Sequence, residues 1–270
     1  MRVAALIVAA VALVAPAAAA CTGVVIARDG EVLVGSNEDW FRPDAYVWAV
    51  AGVGTNLSAV YFGYYVDGEF GEDIAPFWYE FQGINEAGLY FDSFSAPCGP
   101  DDDSSMTQTY HGSIERLIMQ TCETVEEAVQ VLTRYSRANM DCMQYLLVDR
   151  TGAAAVVERG AVVWKEGETF VLTNFHLSEP TDGHYPCWRY DIATRCLAAN
   201  SDPTVERVAQ VLGLAKTGST MYSIVCDLAR MTAYVYLMGG FHRPLAVDLE
   251  TLWTEGSDRV PLSSLPRAEP

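Results

Sequence analysis

Cys21 stands directly after Ala17-Ala18-Ala19-Ala20. A cysteine that becomes the first residue of a chain carries its own base. A free α-amino group has a pKa of about 8, so near neutrality a useful fraction is unprotonated and can take the thiol proton. Nucleophile and base then belong to one residue, and no histidine partner is required. The four histidines, His111, His176, His184 and His242, show no catalytic pairing. A zinc hydrolase built on His176 and His184 is disfavoured, because their spacing matches no helical ligand pair.

A second chemical group arrives by hairpin geometry. Thr22 to Ala27 is rich in small and β-branched residues and predicts a strand, Asp29-Gly30 predicts a tight turn, and Glu31 to Gly35 predicts the returning strand. Antiparallel strands around that turn pair residues whose numbers sum to roughly 59 or 60. Cys21 is thereby placed opposite Glu38 or Asp39. A carboxylate of Asn37-Glu38-Asp39-Trp40 can then hold the new α-amino group by a charge-assisted hydrogen bond. The plainer alternative is an ordinary polar strand end.

The elements that must position these groups alternate in type. Further strands are predicted at Tyr46–Val53, Ala59–Tyr65 and Gly88–Phe94. A helical block follows, with Ile114, Leu117 and Ile118 on one face and a Thr124/Glu127 capping box ahead of Val125, Ala128, Val129 and Leu132. A meander is predicted over Tyr145–Val148, Ala153–Glu158, Val162–Lys165 and Thr169–Thr173. Asp202 and Pro203 open a helix striped by Val205, Val208, Ala209 and Leu212 and closed by Gly213. Ser223–Asp227 and Thr232–Leu237 complete the strands. Strand groups on both sides of a helical block predict an α+β fold of stacked antiparallel sheets flanked by helices.

The N-terminus and composition bound the setting. Arg2, the apolar run Val3–Val14 and the small residues before Cys21 have the form of a signal peptide over residues 1–20, too short to span a bilayer. The expectation is export, periplasmic or secreted, with residues 21–270 forming one domain and no stable membrane insertion after cleavage. The formal net charge is −18, and removing Arg2 makes it one unit more negative. Such a surface argues against nucleic-acid and anionic-membrane partners. Gly99 to Ser105, with Asp101-Asp102-Asp103, reads as a solvated loop, since it lacks the alternating spacing of a calcium loop. Seven cysteines leave one unpaired in an oxidising compartment. Cys21 is the odd one by position. Cys98, Cys122, Cys142, Cys187, Cys196 and Cys226 allow up to three bridges, with the pairing open, or are in part buried small hydrophobes.

Cys21-Thr22-Gly23, the hairpin, and Gly35-Ser36-Asn37-Glu38-Asp39-Trp40 together resemble the opening of the linear-amide C–N hydrolases of the N-terminal-nucleophile class. That superfamily includes choloylglycine hydrolases (bile-salt hydrolases and penicillin V acylases), acid-ceramidase-like amidases and the penicillin acyltransferase group. Gly83-Ile84-Asn85-Glu86-Ala87-Gly88-Leu89 resembles its Asn-Glu-x-Gly-Leu segment, itself readable as a turn between strands. Leu172-Thr173-Asn174-Phe175-His176 resembles its Thr-Asn signature, and Trp188-Arg189-Tyr190 stands where those enzymes place an arginine. The resemblance implies a four-layer αββα sandwich of two stacked antiparallel sheets, a small-molecule amide substrate, and no cofactor or metal. It assigns Cys21 as nucleophile, Asp39 as orienter of its amine, Asn174 as an oxyanion donor and Arg189 as a cation steadying the nucleophile. Two positions depart. Ser36 replaces the arginine usual in choloylglycine hydrolases and acid-ceramidase-like enzymes, which leans toward the acyltransferase group. Ser95 replaces an asparagine that helps form the oxyanion hole in bile-salt hydrolases.

The reading that follows is an exported cysteine amidohydrolase working through an acyl-thioester on Cys21. An acyltransferase of the same fold is an alternative. A lipoprotein lipidated on Cys21, or a binding protein that has lost catalysis, is another. Against lipidation, Ala18 occupies the place where such signals favour a larger aliphatic residue.

Overall fold

The computed structural model describes residues 21–67, 76–98, 110–135, 142–179 and 187–268. The signal peptide expected at 1–20, the acidic loop 99–105 and His184 lie outside the described residues. In chain order the strands are β1 (Thr22–Arg28), β2 (Glu31–Asp39), β3 (Tyr46–Val50), β4 (Ala59–Val66), β5 (Phe77–Asn85) and β6 (Tyr90–Ser95). Helices α1 (Ile114–Thr121) and α2 (Val125–Arg134) follow. Next come β7 (Met143–Val148), β8 (Ala154–Glu158), β9 (Ala161–Trp164) and β10 (Thr169–Leu172), then α3 (Trp188–Ala199) and α4 (Val205–Ala215). The chain continues through β11 (Thr220–Asp227), β12 (Thr232–Leu237), β13 (Leu245–Val247), α5 (Leu249–Glu255) and β14 (Ser257–Pro261).

Among the described residues one sheet has six strands in the order β10-β1-β2-β11-β12-β13. The other has eight, β14-β3-β4-β5-β6-β7-β8-β9. Alternate side chains leave a strand on opposite faces, and the core divides accordingly into three layers. Cys21, Val25, Val32 and Val34 meet Phe62, Phe81, Phe94 and Leu146 between the sheets. Tyr61, Phe91 and Leu147 pack under α1 and α2. Val24, Ile26 and Leu33 pack under α3 and α4, against Leu197, Val208 and Leu212. This is the αββα sandwich, an α+β fold of two stacked antiparallel sheets.

Local signals explain much of it. Asp29 and Gly30 both have positive φ, 54° and 83°, as a two-residue hairpin turn requires. Thr124 and Glu127 form the reciprocal capping box that starts α2. At Gly35 an added Cβ would lie 2.4 Å from Val208 Cγ1, so the absent side chain lets α4 approach β2.

Several boundaries differ from the sequence expectation. β2 extends to Asp39 because β11 pairs with it from Leu33 to Asp39. β5 was not expected from sequence; its alternation is masked by aromatic residues on both faces. β6 starts at Tyr90, because Asn85 to Gly88 form a turn with Gly88 at φ 89°. α3 was also unexpected, having only Ala193 and Leu197 as buried apolar residues. α4 is capped by Thr204, whose hydroxyl accepts from Arg207 N at 3.1 Å, rather than opened by Asp202-Pro203, and it runs past Gly213 to Ala215. β13, α5 and β14 follow the strand pair that was expected to be last. Cys98 and Cys142 are joined by a disulfide, whereas Cys21, Cys122, Cys187, Cys196 and Cys226 are free. Cys122 and Cys226 are buried as small core residues.

Candidate active site

The hairpin decides which carboxyl group meets the thiol. Its register pairs Thr22 with Asn37 and Arg28 with Glu31, and one step further brings Cys21 level with Glu38. The Cys21 thiol donates to Glu38 Oε2 at 3.5 Å. Asp39 is one residue on and therefore faces the opposite side of the sheet. The start of β1 thus has two chemical faces, one between the sheets and one toward the helices.

Between the sheets lies a buried polar network. Glu38 Oε1 accepts from Ser36 Oγ at 3.1 Å and from Gln82 Nε2 at 2.6 Å. Gln82 Nε2 also donates to Asp92 Oδ2 at 3.2 Å, and Tyr90 Oη donates to the same oxygen at 3.3 Å. Tyr222 Oη donates to Gln82 Oε1 at 3.4 Å. Burial, then the charges of Glu38 and Asp92, push the Cys21 thiol well above its ordinary range. Burial, then the Asp92 charge, push the Glu38 carboxyl well up. Burial likewise carries Asp92 to about 7. Low dielectric favours the neutral form of each group.

On the helix-facing side Arg189, in the first turn of α3, reaches back to the beginning of β1. Its Nη1 donates to the Cys21 carbonyl and, at 3.0 Å, to Thr22 Oγ1; its Nη2 donates to Asn174 Oδ1 at 3.0 Å. Asn174 Nδ2 in turn donates to the Ser95 carbonyl at 2.8 Å. The Asp39 carboxylate accepts from Thr220 Oγ1 and, at 2.8 Å, from Thr217 Oγ1. Burial raises the Asp39 carboxyl above its ordinary value, while the two hydroxyls and the Arg189 charge oppose that rise.

Trp40, packed against the core cluster that contains Cys21, meets Phe41, Tyr64 and Phe81, with ring centroids 4.6, 5.6 and 5.1 Å away. These rings make an apolar wall running from the buried network to exposed Phe41. Among the described residues no group of three His, Cys, Asp or Glu side chains could hold a metal ion. No helix there is long and apolar enough to cross a membrane.

The family model of acyl-coenzyme A:6-aminopenicillanic acid acyl-transferases matches residues 78–181. Two solved variants of a conjugated bile acid hydrolase from Clostridium perfringens are 13% and 14% identical. Each has a TM-score of 0.60, with 89% of this chain and 96% of that chain covered. A penicillin V acylase from Agrobacterium tumefaciens is 16% identical with a TM-score of 0.56, covering 93% of this chain and 98% of that one. No curated protein matches significantly. The chain has the fold of these N-terminal-nucleophile hydrolases. Fold and family model together support an amide hydrolase or acyltransferase of that type.

All four residues that the resemblance assigns within this superfamily, Cys21, Asp39, Asn174 and Arg189, lie around the start of β1. The matched segment 78–181 includes only Asn174 of the four. Other matching residues are structural. Asn37 Nδ2 donates to the Leu212 carbonyl at 2.9 Å and its Oδ1 accepts from Ser223 Oγ, pinning α4 to the sheet. Asn85 to Gly88 form the turn between strands that the sequence offered, and Asn85 Nδ2 also donates to the Met119 and Cys122 carbonyls, closing the end of α1. His176 Nε2 lies 3.1 Å from the Pro97 carbonyl. At the two departing positions, Ser36 serves Glu38 and Ser95 offers its carbonyl to Asn174. Sequence reasoning missed Gln82, Asp92, Thr217, Thr220 and Tyr222. The available signal for Gln82 and Asp92 was a polar residue directly after a buried phenylalanine in a strand, Phe81-Gln82 and Phe91-Asp92.

Proposed function

We propose that this chain, cut before Cys21 on export, is a cysteine amidohydrolase acting on a linear amide. The observation that carries the reading is the set of bonds made by Arg189, which tie the Cys21 main chain, Thr22 and Asn174 into one unit beside Asp39. In the cut chain the Cys21 α-amine, oriented by Asp39, serves as base. Sulfur attacks the amide carbon, a C–S bond forms, and the carbonyl electron pair moves to oxygen. The Asn174 side-chain amide stabilises that oxyanion. Collapse expels the amine with a proton and leaves a thioester, which water then hydrolyses with the α-amine again as base.

The aromatic wall of Trp40, Tyr64 and Phe81 supports an apolar acyl half. The substrate is an N-acyl amino acid, an N-acyl amine or an acylated β-lactam nucleus. Transfer of the acyl group to an amine instead of water is the second reading, favoured by the acyltransferase family model.

Intact mass of the exported protein, with and without an alkylating agent under non-reducing conditions, tests the proposal. A chain that starts at unmodified Cys21 and is alkylated there supports it, as does turnover within a panel of N-acyl substrates that Cys21→Ala abolishes without unfolding the protein. A chain lipidated on Cys21, or retaining residues 1–20, overturns it in favour of an exported binding protein.

A further inference from the structure

The segment that carries Asn174 hangs from the opposite sheet. β1 and β10 pair Gly23 with Leu172, the last residue of β10, and two steps further bring Asn174 level with Cys21. Past Leu172 the chain leaves the six-stranded sheet and is held from β6, β7 and β8, neighbours in the other. Asn174 Nδ2 donates to the Ser95 carbonyl, and His176 Nε2 lies 3.1 Å from the Pro97 carbonyl. The Glu158 carboxylate accepts from Leu177 N, from Ser178 N at 3.1 Å and from Ser178 Oγ at 2.6 Å. Between these anchors, Gln144 Nε2 donates to the Thr173 carbonyl at 2.5 Å.

Gln144 is fully buried and shares the inner face of β7 with Leu146, two residues on. Its amide stands only one way round, because Oε1 turned toward the Thr173 carbonyl would set two acceptors against each other. In that orientation Oε1 has no hydrogen-bond partner among the described residues. A buried amide with one group unpaired costs the fold more than an apolar side chain of the same shape. Stability therefore explains Gln144 poorly. The one bond it makes acts on the peptide group that joins Thr173 to Asn174. That group is planar, so holding its carbonyl also sets the N–Cα bond from which the Asn174 side chain extends.

We propose that Gln144 is a positioning residue for amide hydrolysis: by holding the Thr173 carbonyl it fixes the main chain from which Asn174 reaches the oxyanion. This rests on the amidohydrolase reading and leaves the Cys21 α-amine as its base. Arg189 and Ser95 hold the Asn174 side chain, and Gln144 holds the backbone beneath it. Because the oxyanion exists only once sulfur has attacked, a misaimed Asn174 lowers kcat and leaves KM in place. The nucleophile itself is untouched. Alkylation of Cys21 by iodoacetamide, in which sulfur displaces iodide, puts no charge on a carbonyl oxygen and does not need Asn174.

The test uses the chain beginning at Cys21 as wild type, Gln144→Met, Asn174→Ala and the double variant, each checked by circular dichroism. Turnover of N-acyl amides is measured beside acylation of Cys21 by a p-nitrophenyl acyl ester, whose attack builds the same oxyanion, and beside alkylation by iodoacetamide. Gln144→Met should lower kcat and the acylation rate by about 10-fold or more at unchanged KM, and Asn174→Ala by about 100-fold or more. The double variant should lose no more than Asn174→Ala alone, and alkylation should run at the wild-type rate in Gln144→Met. Losses that multiply to about 1000-fold in the double variant overturn the proposal. So does wild-type kcat in Gln144→Met, or alkylation that falls as far as acylation. Gln144→Leu replaces Gln144→Met if the latter does not fold; if neither folds, the amide is a requirement of the fold and the proposal fails. Ester acylation without amide turnover sinks the amidohydrolase reading alone, and the same comparison on acylation then decides Gln144. A Cys21 that neither reagent class acylates sinks both.

Discussion

Replacing Arg189 by lysine should weaken both the fold and the site, by an amount that follows from its bonds. The guanidinium is 6% exposed and donates to the Cys21 carbonyl, Thr22 Oγ1 and Asn174 Oδ1. A lysine ammonium is a point at the end of a shorter fork-free stem and can serve one of these three acceptors. Two charge-assisted bonds are lost, each worth about 1.5–3 kcal/mol. Water at the edge of the sheet restores part of that, leaving a net loss of about 3 kcal/mol. For a chain of this size, each kcal/mol lowers Tm by about 2–4 °C, so Arg189→Lys should melt about 6–12 °C below wild type. Activity should fall by about 100-fold, because Asn174 loses the partner that aims it. Arg195→Lys is the control: on the same helix and exposed, it makes an i,i+4 pair to the Asp191 carboxylate at 3.5 Å and an Nε bond to the Asp191 carbonyl at 3.3 Å, both in solvent, and it should change stability by less than about 0.5 kcal/mol. The assay is calorimetry with turnover measured in parallel. A melting point within about 2 °C of wild type at full turnover would refute the bridging role.

Three further outcomes follow from packing and charge. Gly35→Ala puts a Cβ 2.4 Å from Val208 Cγ1 and 3.2 Å from the Ile224 carbonyl, which should destabilise by about 1–3 kcal/mol in denaturant titration as α4 is pushed off the sheet. The Asp92 carboxyl is raised from 3.8 to about 7 by burial, so between those values the folded state binds more protons than the unfolded one. Stability contributed by this group is therefore complete below about pH 4 and is lost as pH rises to about 7; Asp92→Asn should flatten that decline, read as Tm against pH, and an unchanged slope would contradict it. The Cys98–Cys142 disulfide closes a 44-residue separation, and replacing both by alanine should cost about 2–4 kcal/mol by loop entropy, measured by urea unfolding.

Rules of short range were legible from the residues. Asp29-Gly30 specified a hairpin, and its register limited the partner of Cys21 to two neighbours. Thr124 and Glu127 announced the start of α2, and apolar alternation marked most strands. What a one-residue shift decides was not legible, because it exchanges the faces of a strand. The choice between Glu38 and Asp39 as the group facing the thiol came only with the settled register. α3 was hidden because its buried side is too narrow to give a helical apolar stripe, although it delivers Arg189.

The chain by itself determined the candidate nucleophile, the strand that bears it and the sandwich class, all of which depend on residue type, spacing and period. Tertiary structure alone decided the company that nucleophile keeps. Arg189 reaches the Cys21 carbonyl from 168 residues along the chain and holds Asn174 beside it, and Gln82 reaches Glu38 from the opposite sheet with Asp92 behind it. Their residue types could be read from the chain. Their partners could not, because no local rule pairs residues across two packed sheets. That pairing is decided by burial of the apolar faces on either side, which brings the sheets together and leaves these few polar groups to satisfy one another.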